Sequence, residues 1–324
     1  HTIRQPPPAH VPLYLAERRL PNRMALALDD LSTAATPQYS DWLAEAAPGL
    51  LLAGSACVAA EGRIFDSQPA LYLDEHEAAW AGFIRTVHGR GPSAVGMVLT
   101  HAGRRGAVRA PAPRELPDRP LREGAWPLVA PSALPYTPRS QVPRAMTRAD
   151  MARLRDAFAH AARRAASAEA DLLLLDLAHG YLLASFLSPL ANQRGDAYGG
   201  ALERRLRFPL AVFDAVRAVW PRARPLGVAL NCDDCAPGGF QPEEAVVVAV
   251  TLKAHGCDIV QVCAGHTRPD AVPAYGRGFL TGLSDHIRNE AGIATLVGGY
   301  LTTMNEVNTV LASGRADLCL MTRS

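Results

Sequence analysis

The 324-residue chain is nearly without lysine: Lys253 is the single one among 33 basic residues. Arginine and alanine dominate instead, which reads as coding bias rather than mechanism. Charge of one sign is also missing, with 33 Lys+Arg against 31 Asp+Glu and a formal net charge of +2. No dense basic run breaks that balance, so a general field for nucleic acid or an acidic membrane is excluded. No apolar stretch reaches the roughly 18–20 residues needed to span a bilayer. The start, HTIRQPPPAHVP, has neither the charged nor the apolar region of a signal peptide, so a cytoplasmic location is expected. The six cysteines (Cys57, Cys232, Cys235, Cys257, Cys263, Cys319) lie scattered in mostly apolar runs. Small buried hydrophobes in a reducing compartment look like this, and no disulfide framework is expected. A 48% hydrophobic and 20% charged composition excludes global disorder and coiled coil.

Eight short apolar runs are present: NRMALAL (from Asn22), GLLLAGSACV (Gly49), AVGMVLTH (Ala94), ADLLLLDLAH (Ala170), PLGVALNC (Pro225), CDIVQVCAG (Cys257), IATLVGG (Ile293) and ADLCLMT (Ala316). Most are continuous rather than alternating, as strands buried on both faces of a parallel sheet should be. Amphipathic helical stretches lie between them. One follows Thr147 and Asp150 at capping-box spacing and repeats Met151, Leu154, Phe158 and Ala161 on one face. QPEEAVVVAVTLKAHG and TMNEVNTVLASG stop at Gly256 and Gly314, as helices ending on a C-terminal glycine do. Strand–helix alternation repeated eight times predicts one α/β (β/α)₈ barrel over residues 1–324, with a doubly wound open sheet as the alternative. Residues 1–12 read as a Pro-rich linker and 104–143 as a long Pro- and Arg-rich loop over the barrel mouth. The chain stops directly after the eighth strand, so the last helix is expected to be lacking or trimmed.

Several motifs are absent or weak. No GxGxxG opens a helix after a strand, and neither a P-loop nor a GxSxG elbow occurs. Cys232-Asp-Asp-Cys235 has no second pair at zinc spacing. Asp29, Asp30, Asp233 and Asp234 fall at strand ends and, with Asp176 and His179, could converge on a cation or act as acid and base; solvated loop acids explain them more simply. No metal site is expected. Arg104, Arg105, Arg109, Arg139 and Arg144 could meet the phosphates of a CoA-type substrate, with solvated loop arginines as the plainer reading.

The segment HGYLLASFLSPLANQRGDAYGGALERRLRFP (from His179) resembles the strand-4 signature of the old yellow enzyme family of FMN-dependent NAD(P)H oxidoreductases. LPNRMALA, AEGRIFD and THAGRRG resemble its first three strand-end motifs, and NEAGIATLVGG with GRADLCLMTR its last two strands. The likeness spans nearly the whole chain and implies a (β/α)₈ barrel that transfers hydride through FMN to an activated C=C, with NAD(P)H as reductant. It implies Tyr181 as proton donor and His179 as one member of a carbonyl-polarising pair whose other member, usually His or Asn, is Asp176. It further implies Ser55, His101, Gly298, Gly299 and Arg323 as cofactor contacts, the last three toward the phosphate. Where the family carries a Gln and an Arg along the flavin edge this chain has Val98 and Ala229, and the turn after the first strand reads Leu28-Asp29-Asp30. These departures predict a degenerate flavin site, because lost polar contacts weaken binding by about 1–3 kcal/mol each. SDHIRNEAGIAT and HGYLLASFLSPL look most like the reductase-like domain of bifunctional aromatic-acyl-CoA monooxygenase/reductases. That likeness implies an aromatic or enone-type substrate, CoA-linked in those relatives, and a fused or separate flavin monooxygenase partner; a homo-oligomer is compatible. The alternative is a flavin-free pseudo-reductase barrel with a structural or partner-docking role, or a non-redox acid/base catalyst using Asp176 and His179.

Overall fold

The computed structural model describes residues 5–28 and 47–322. A short hairpin, β1 (Leu13–Leu15) with β2 (Arg18–Leu20), precedes the barrel strands β3 (Met24–Leu28), β4 (Leu50–Cys57) and β5 (Ala94–Thr100). After a two-residue ladder of β6 (Val129–Ala130) with β7 (Arg144–Ala145) come β8 (Leu172–Leu177), β9 (Leu226–Asn231), β10 (Ile259–Cys263), β11 (Ala294–Leu301) and β12 (Leu318–Met321). The eight barrel strands pair in parallel in chain order, and β12 returns to β3 through Cys319↔Met24 and Leu320↔Ala25. That closure sets aside the open sheet, and all eight apolar runs anticipated from sequence form barrel strands. β8 shows why they read as continuous: all six of its residues are buried, alternately against the barrel interior and the surrounding helices.

Among the described residues seven α-helices pack outside: α1 (Asp74–His88), α2 (Arg148–Ser167), α3 (Leu182–Leu187), α4 (Leu202–Val219), α5 (Pro242–Ala254), α6 (Thr281–Ala291) and α7 (Met304–Ala312). The reciprocal cap expected at α2 is present, with the Asp150 N–H donating to Thr147 Oγ1 (3.1 Å) and Asp150 Oδ2 accepting from the Thr147 N–H (2.7 Å). Arg144 pairs with the same carboxylate at 2.7 Å, holding it below the usual carboxylate range. Met151, Leu154, Phe158, Ala161 and Ala165 form the buried stripe of α2. Gly256 (φ 95°) and Gly314 (φ 72°) follow α5 and α7 in the left-handed region.

Leu13, Leu15 and Leu20 of the hairpin pack with Leu50, Leu172, Ile259 and Leu318, plugging the N-terminal end of the barrel and leaving the other end open. The 3₁₀ turn Pro8–His10 lies on α7, where the Ala9 N–H donates to Asn308 Oδ1 at 2.9 Å. The segment 104–143 is irregular apart from β6 and the 3₁₀ turn Gly103–Arg105. Arg104 pins it to the loop after β10 by donating to the carbonyls of Thr267 (2.6 Å), Leu134 and Pro135.

Candidate active site

Side-chain alternation decides what enters the barrel mouth. Leu172 and Leu174 of β8 face inward, so Asp176 does too, and the same parity brings in Val98, Ala229, Gln261 and Leu320. These form the floor of a cavity of about 370 Å³ at the C-terminal end of the strands. Active sites of barrels of this kind lie at that end, where the βα loops converge. Arg105, His179, Tyr181 and His266 reach over the floor from those loops.

Asp176 is 4% exposed and acts as an acceptor on both oxygens, from Thr100 Oγ1 (3.0 Å) and from the Ala178 N–H (3.0 Å). Its Oδ1 also lies 3.8 Å from Nδ1 of His179. Withdrawal from bulk water lowers the pKa of that imidazole, but the Cys263 sulfur and the Asp176 carboxylate raise it further, to about 10. The His179 side chain is 43% accessible from the open mouth. Its backbone is left-handed (φ 57°), and Gly180 behind it has φ 68°. A Cβ at Gly180 would sit 2.3 Å from the His266 carbonyl oxygen, so only glycine lets the loops after β8 and β10 meet.

Tyr181 ends this loop and its phenol is pushed up to about 12, chiefly by burial, with Arg105 opposing and Asp176 adding to the rise. It keeps its proton across the neutral range. The Arg105 guanidinium stands 5.0 Å from the centre of the Tyr181 ring and 4.5 Å from that of Tyr136, and it donates to the His179 carbonyl. Asp118 holds it through contacts of 2.9 and 3.0 Å. His266, on the other side, receives or gives a hydrogen bond at Nε2 with Tyr275 Oη (2.9 Å), and burial keeps its pKa below the ordinary value.

The structure thus brings Asp176, His179, Tyr181 and Ser55 together around one cavity. His101 is elsewhere: 1% exposed, its ring packs so closely on Gly62 that a Cβ there would approach to 2.4 Å. Burial holds its pKa down at about 4, Nδ1 accepts from the Gly103 N–H (3.1 Å), and Nε2 has no partner. Gly298 and Gly299 lie within β11, where the β11–β12 register shifts between Val297 and Leu301, and neither lines the cavity. Arg323, Asp29 and Asp30 lie outside the described residues. Asp234 is structural, accepting from Ser188 Oγ (2.5 Å), the Phe240 N–H (2.7 Å), Asn231 Nδ2 (2.8 Å) and Thr267 Oγ1. Asp233 accepts from the Cys235 N–H at 2.7 Å, and Cys232 is fully buried. Among the described residues no group of three His, Cys, Asp or Glu is placed to hold a metal ion, and no helix is long and apolar enough to cross a membrane. Arg144 is taken by Asp150, and Arg104 and Arg105 are bound within the protein.

Three mouth features were missed in the sequence. Gln261 pairs in register with Ala229 and brings an amide to the floor beside it. Its signal was a polar residue at the inward parity of an apolar strand. His266 and the Arg105–Asp118 pair lie in loops, where no periodicity marks them.

A flavin mononucleotide fits parts of this mouth. The apolar floor suits a planar ring system, and Gln261 offers both donor and acceptor to its polar edge. The amides of Thr302 and Thr303 at the start of α7 are taken by Glu306, at 2.9 and 3.0 Å.

Barrel, mouth and loop chemistry define a family that the comparisons identify. The model of the NADH:flavin oxidoreductase / NADH oxidase family matches residues 20–324, and the chain belongs to this family, the old yellow enzyme family. FMN and NAD(P)H are the family's cofactor and reductant. The NADPH dehydrogenase of Geobacillus sp. (strain WCH70) is 35% identical over 275 residues, 85% of this chain and 75% of that protein. That of Geobacillus thermodenitrificans (strain NG80-2) is 36% identical over the same shares. Among solved structures, 2-naphthoyl-CoA reductase in complex with 2-naphthoyl-CoA shares the fold with TM-score 0.82 at 21% identity. The match covers 98% of this chain, which spans half the length of that one. Morphinone reductase in complex with tetrahydroNAD has TM-score 0.77 at 24% identity, covering 98% of this chain and 86% of that one.

Proposed function

We propose that this barrel is an FMN-dependent ene-reductase acting on an activated C=C, with the donor pair of its relatives replaced by one protonated histidine. FMN, reduced by NAD(P)H, supplies the hydride when bound. The carrying observation is that His179 and Tyr181 face one cavity, with the Asp176 carboxylate 3.8 Å from the His179 ring. His179, kept as an imidazolium beside Asp176, donates to the substrate carbonyl and stabilises the negative charge that develops there. Asp176, which accepts from Thr100 Oγ1 and the Ala178 N–H, orients His179. Tyr181 delivers the proton to the carbon next to the carbonyl. Gly298, Gly299 and Arg323 would hold the phosphate, and Ser55 and Gln261 the ring edge. His101 supports the end of β5 from behind.

The CoA-linked aromatic or enone-type substrate class, and a fused or separate flavin monooxygenase partner, rest on HGYLLASFLSPL and SDHIRNEAGIAT. An apolar floor at Val98 and Ala229 favours one second reading, a flavin-free barrel with a structural role or acid/base chemistry at Asp176 and His179. Tyr181→Phe separates the two: alkene reduction falls while bound flavin per protein stays constant. Unaltered turnover removes Tyr181 from the role, and protein that never binds FMN supports the second reading.

A further inference from the structure

Arg105 is the cation that faces Tyr181. It leaves the chain two residues after Gly103, whose φ of 58° turns the backbone immediately after β5. Fixed on one side by Asp118 and on another by the His179 carbonyl, it cannot swing to solvent; 11% of its side chain is exposed. Its guanidinium lies against the rings of Tyr181 and Tyr136, 5.0 and 4.5 Å from their centres. A cation over a phenol ring is attracted more strongly once the ring carries negative charge. The other charged or titratable groups facing Tyr181 are Asp176 on β8, and Asp118 and Tyr136 from the segment after β5. His179 stands beside it with ring centres 6.0 Å apart. Both carboxylates oppose ionisation of the phenol, so the arginine works against them.

We propose that Arg105 is a positioning residue that stabilises the phenolate left on Tyr181 after proton delivery. This rests on the reading of Tyr181 as proton donor. In that step the Tyr181 O–H bond breaks, a C–H bond forms at the substrate carbon with the electron pair of the enolate, and the negative charge passes to the phenolate oxygen. Water entering the mouth then reprotonates it. Without a fixed cation, charge would be created on a buried ring between two carboxylates. Burial and Asp176 hold the phenol up and Arg105 offsets them in part, a balance that keeps the proton at neutral pH yet lets it leave.

The test replaces Tyr181 by 3,5-difluorotyrosine, whose more acidic phenol brings the titration into an accessible pH range, and follows it by fluorine NMR in the whole chain without substrate. Arg105→Leu is expected to raise the midpoint by about one unit or more, a tenfold loss of phenolate stability. Arg105→Lys, which keeps a cation, should restore most of the shift. Asp118→Asn, which removes an opposing carboxylate, should move the midpoint the other way and serves if the leucine variant does not fold. An unmoved midpoint in Arg105→Leu, or in Asp118→Asn when only that variant folds, overturns the proposal. So does an equal rise in the lysine variant. Because no alkene or flavin enters this titration, it stands apart from whether Tyr181 reduces alkenes. That question is answered by single-turnover reduction with Tyr181→Phe, where Arg105→Leu should slow turnover about tenfold at wild-type flavin content.

Discussion

On the floor of the mouth Val98 and Ala229 present only carbon to the cavity, and Gln261 is the polar exception. On its wall stand Arg105, His179 and Tyr181, and Asp176 reaches His179 from the strand end below. The floor is built from strand residues whose inward parity is fixed by the barrel, so a change there alters how a flat ligand is held. The wall comes from loops, where charge can be added without disturbing the core. Polar side chains on the floor are few, whereas on the wall Asp118 fixes the Arg105 guanidinium. The difference teaches that strand parity constrains the floor while loop contacts set the wall.

The largest expected effect belongs to the wall. Tyr181→Phe should cut alkene reduction about 10²–10⁴-fold, the usual worth of a positioned proton donor, with flavin content unchanged. Next comes Asp176→Asn. Because His179 is held up to about 10 in part by that carboxylate, wild-type activity should persist through neutral pH and decline as pH rises toward 10. In the asparagine variant the alkaline limb should move toward neutrality, and a pH–rate profile with an unmoved limb would separate His179 from Asp176. The same linkage has a sign for stability: a raised histidine pKa stabilises the fold fully below about 6.5, and that contribution is lost as pH rises toward 10.

Changing the floor should have the smaller, opposite consequence. Val98→Gln combined with Ala229→Arg should tighten FMN about 10–100-fold, as one or two added polar contacts would. Fluorescence quenching of free FMN reads this directly, and equal or weaker binding would mean that the floor does not limit affinity. Beneath both regions, His101 should leave turnover almost untouched and act on stability alone. Its pKa is depressed to about 4 by burial, so the neutral ring stabilises the fold above about 6.5 and the contribution fades as pH falls toward 4. Thermal melts across that range should lose stability in the wild type and lose less in His101→Gln, a difference on the order of 3 kcal/mol.

Much of this was legible beforehand for a physical reason. Parallel strands buried on both faces leave continuous apolar runs, so the eight strands and their order could be read from ADLLLLDLAH and its counterparts. Asp176 stood out through the family resemblance, as the member of the donor pair that is usually His or Asn, and the barrel fixes its inward parity beside Leu172 and Leu174. The signature from His179 to the helix α4 marked the loop that carries Tyr181. Loop partners were not legible: Arg105 meets Asp118 thirteen residues away in a stretch without period, and His266 joins the mouth only because Gly180 allows two loops to touch. His101 shows the converse. A strand-end histidine in a family motif lies packed on Gly62, because the next turn, at Gly103, folds back over it.

The account stands or falls on whether the mouth holds a flavin on so apolar a floor. A visible spectrum of the purified protein, titrated with excess FMN and compared with a denatured aliquot, measures this with no substrate in hand. The account predicts bound flavin whose bands differ from those of free FMN and bleach on reduction by NAD(P)H. Colourless protein that ignores added FMN would contradict it.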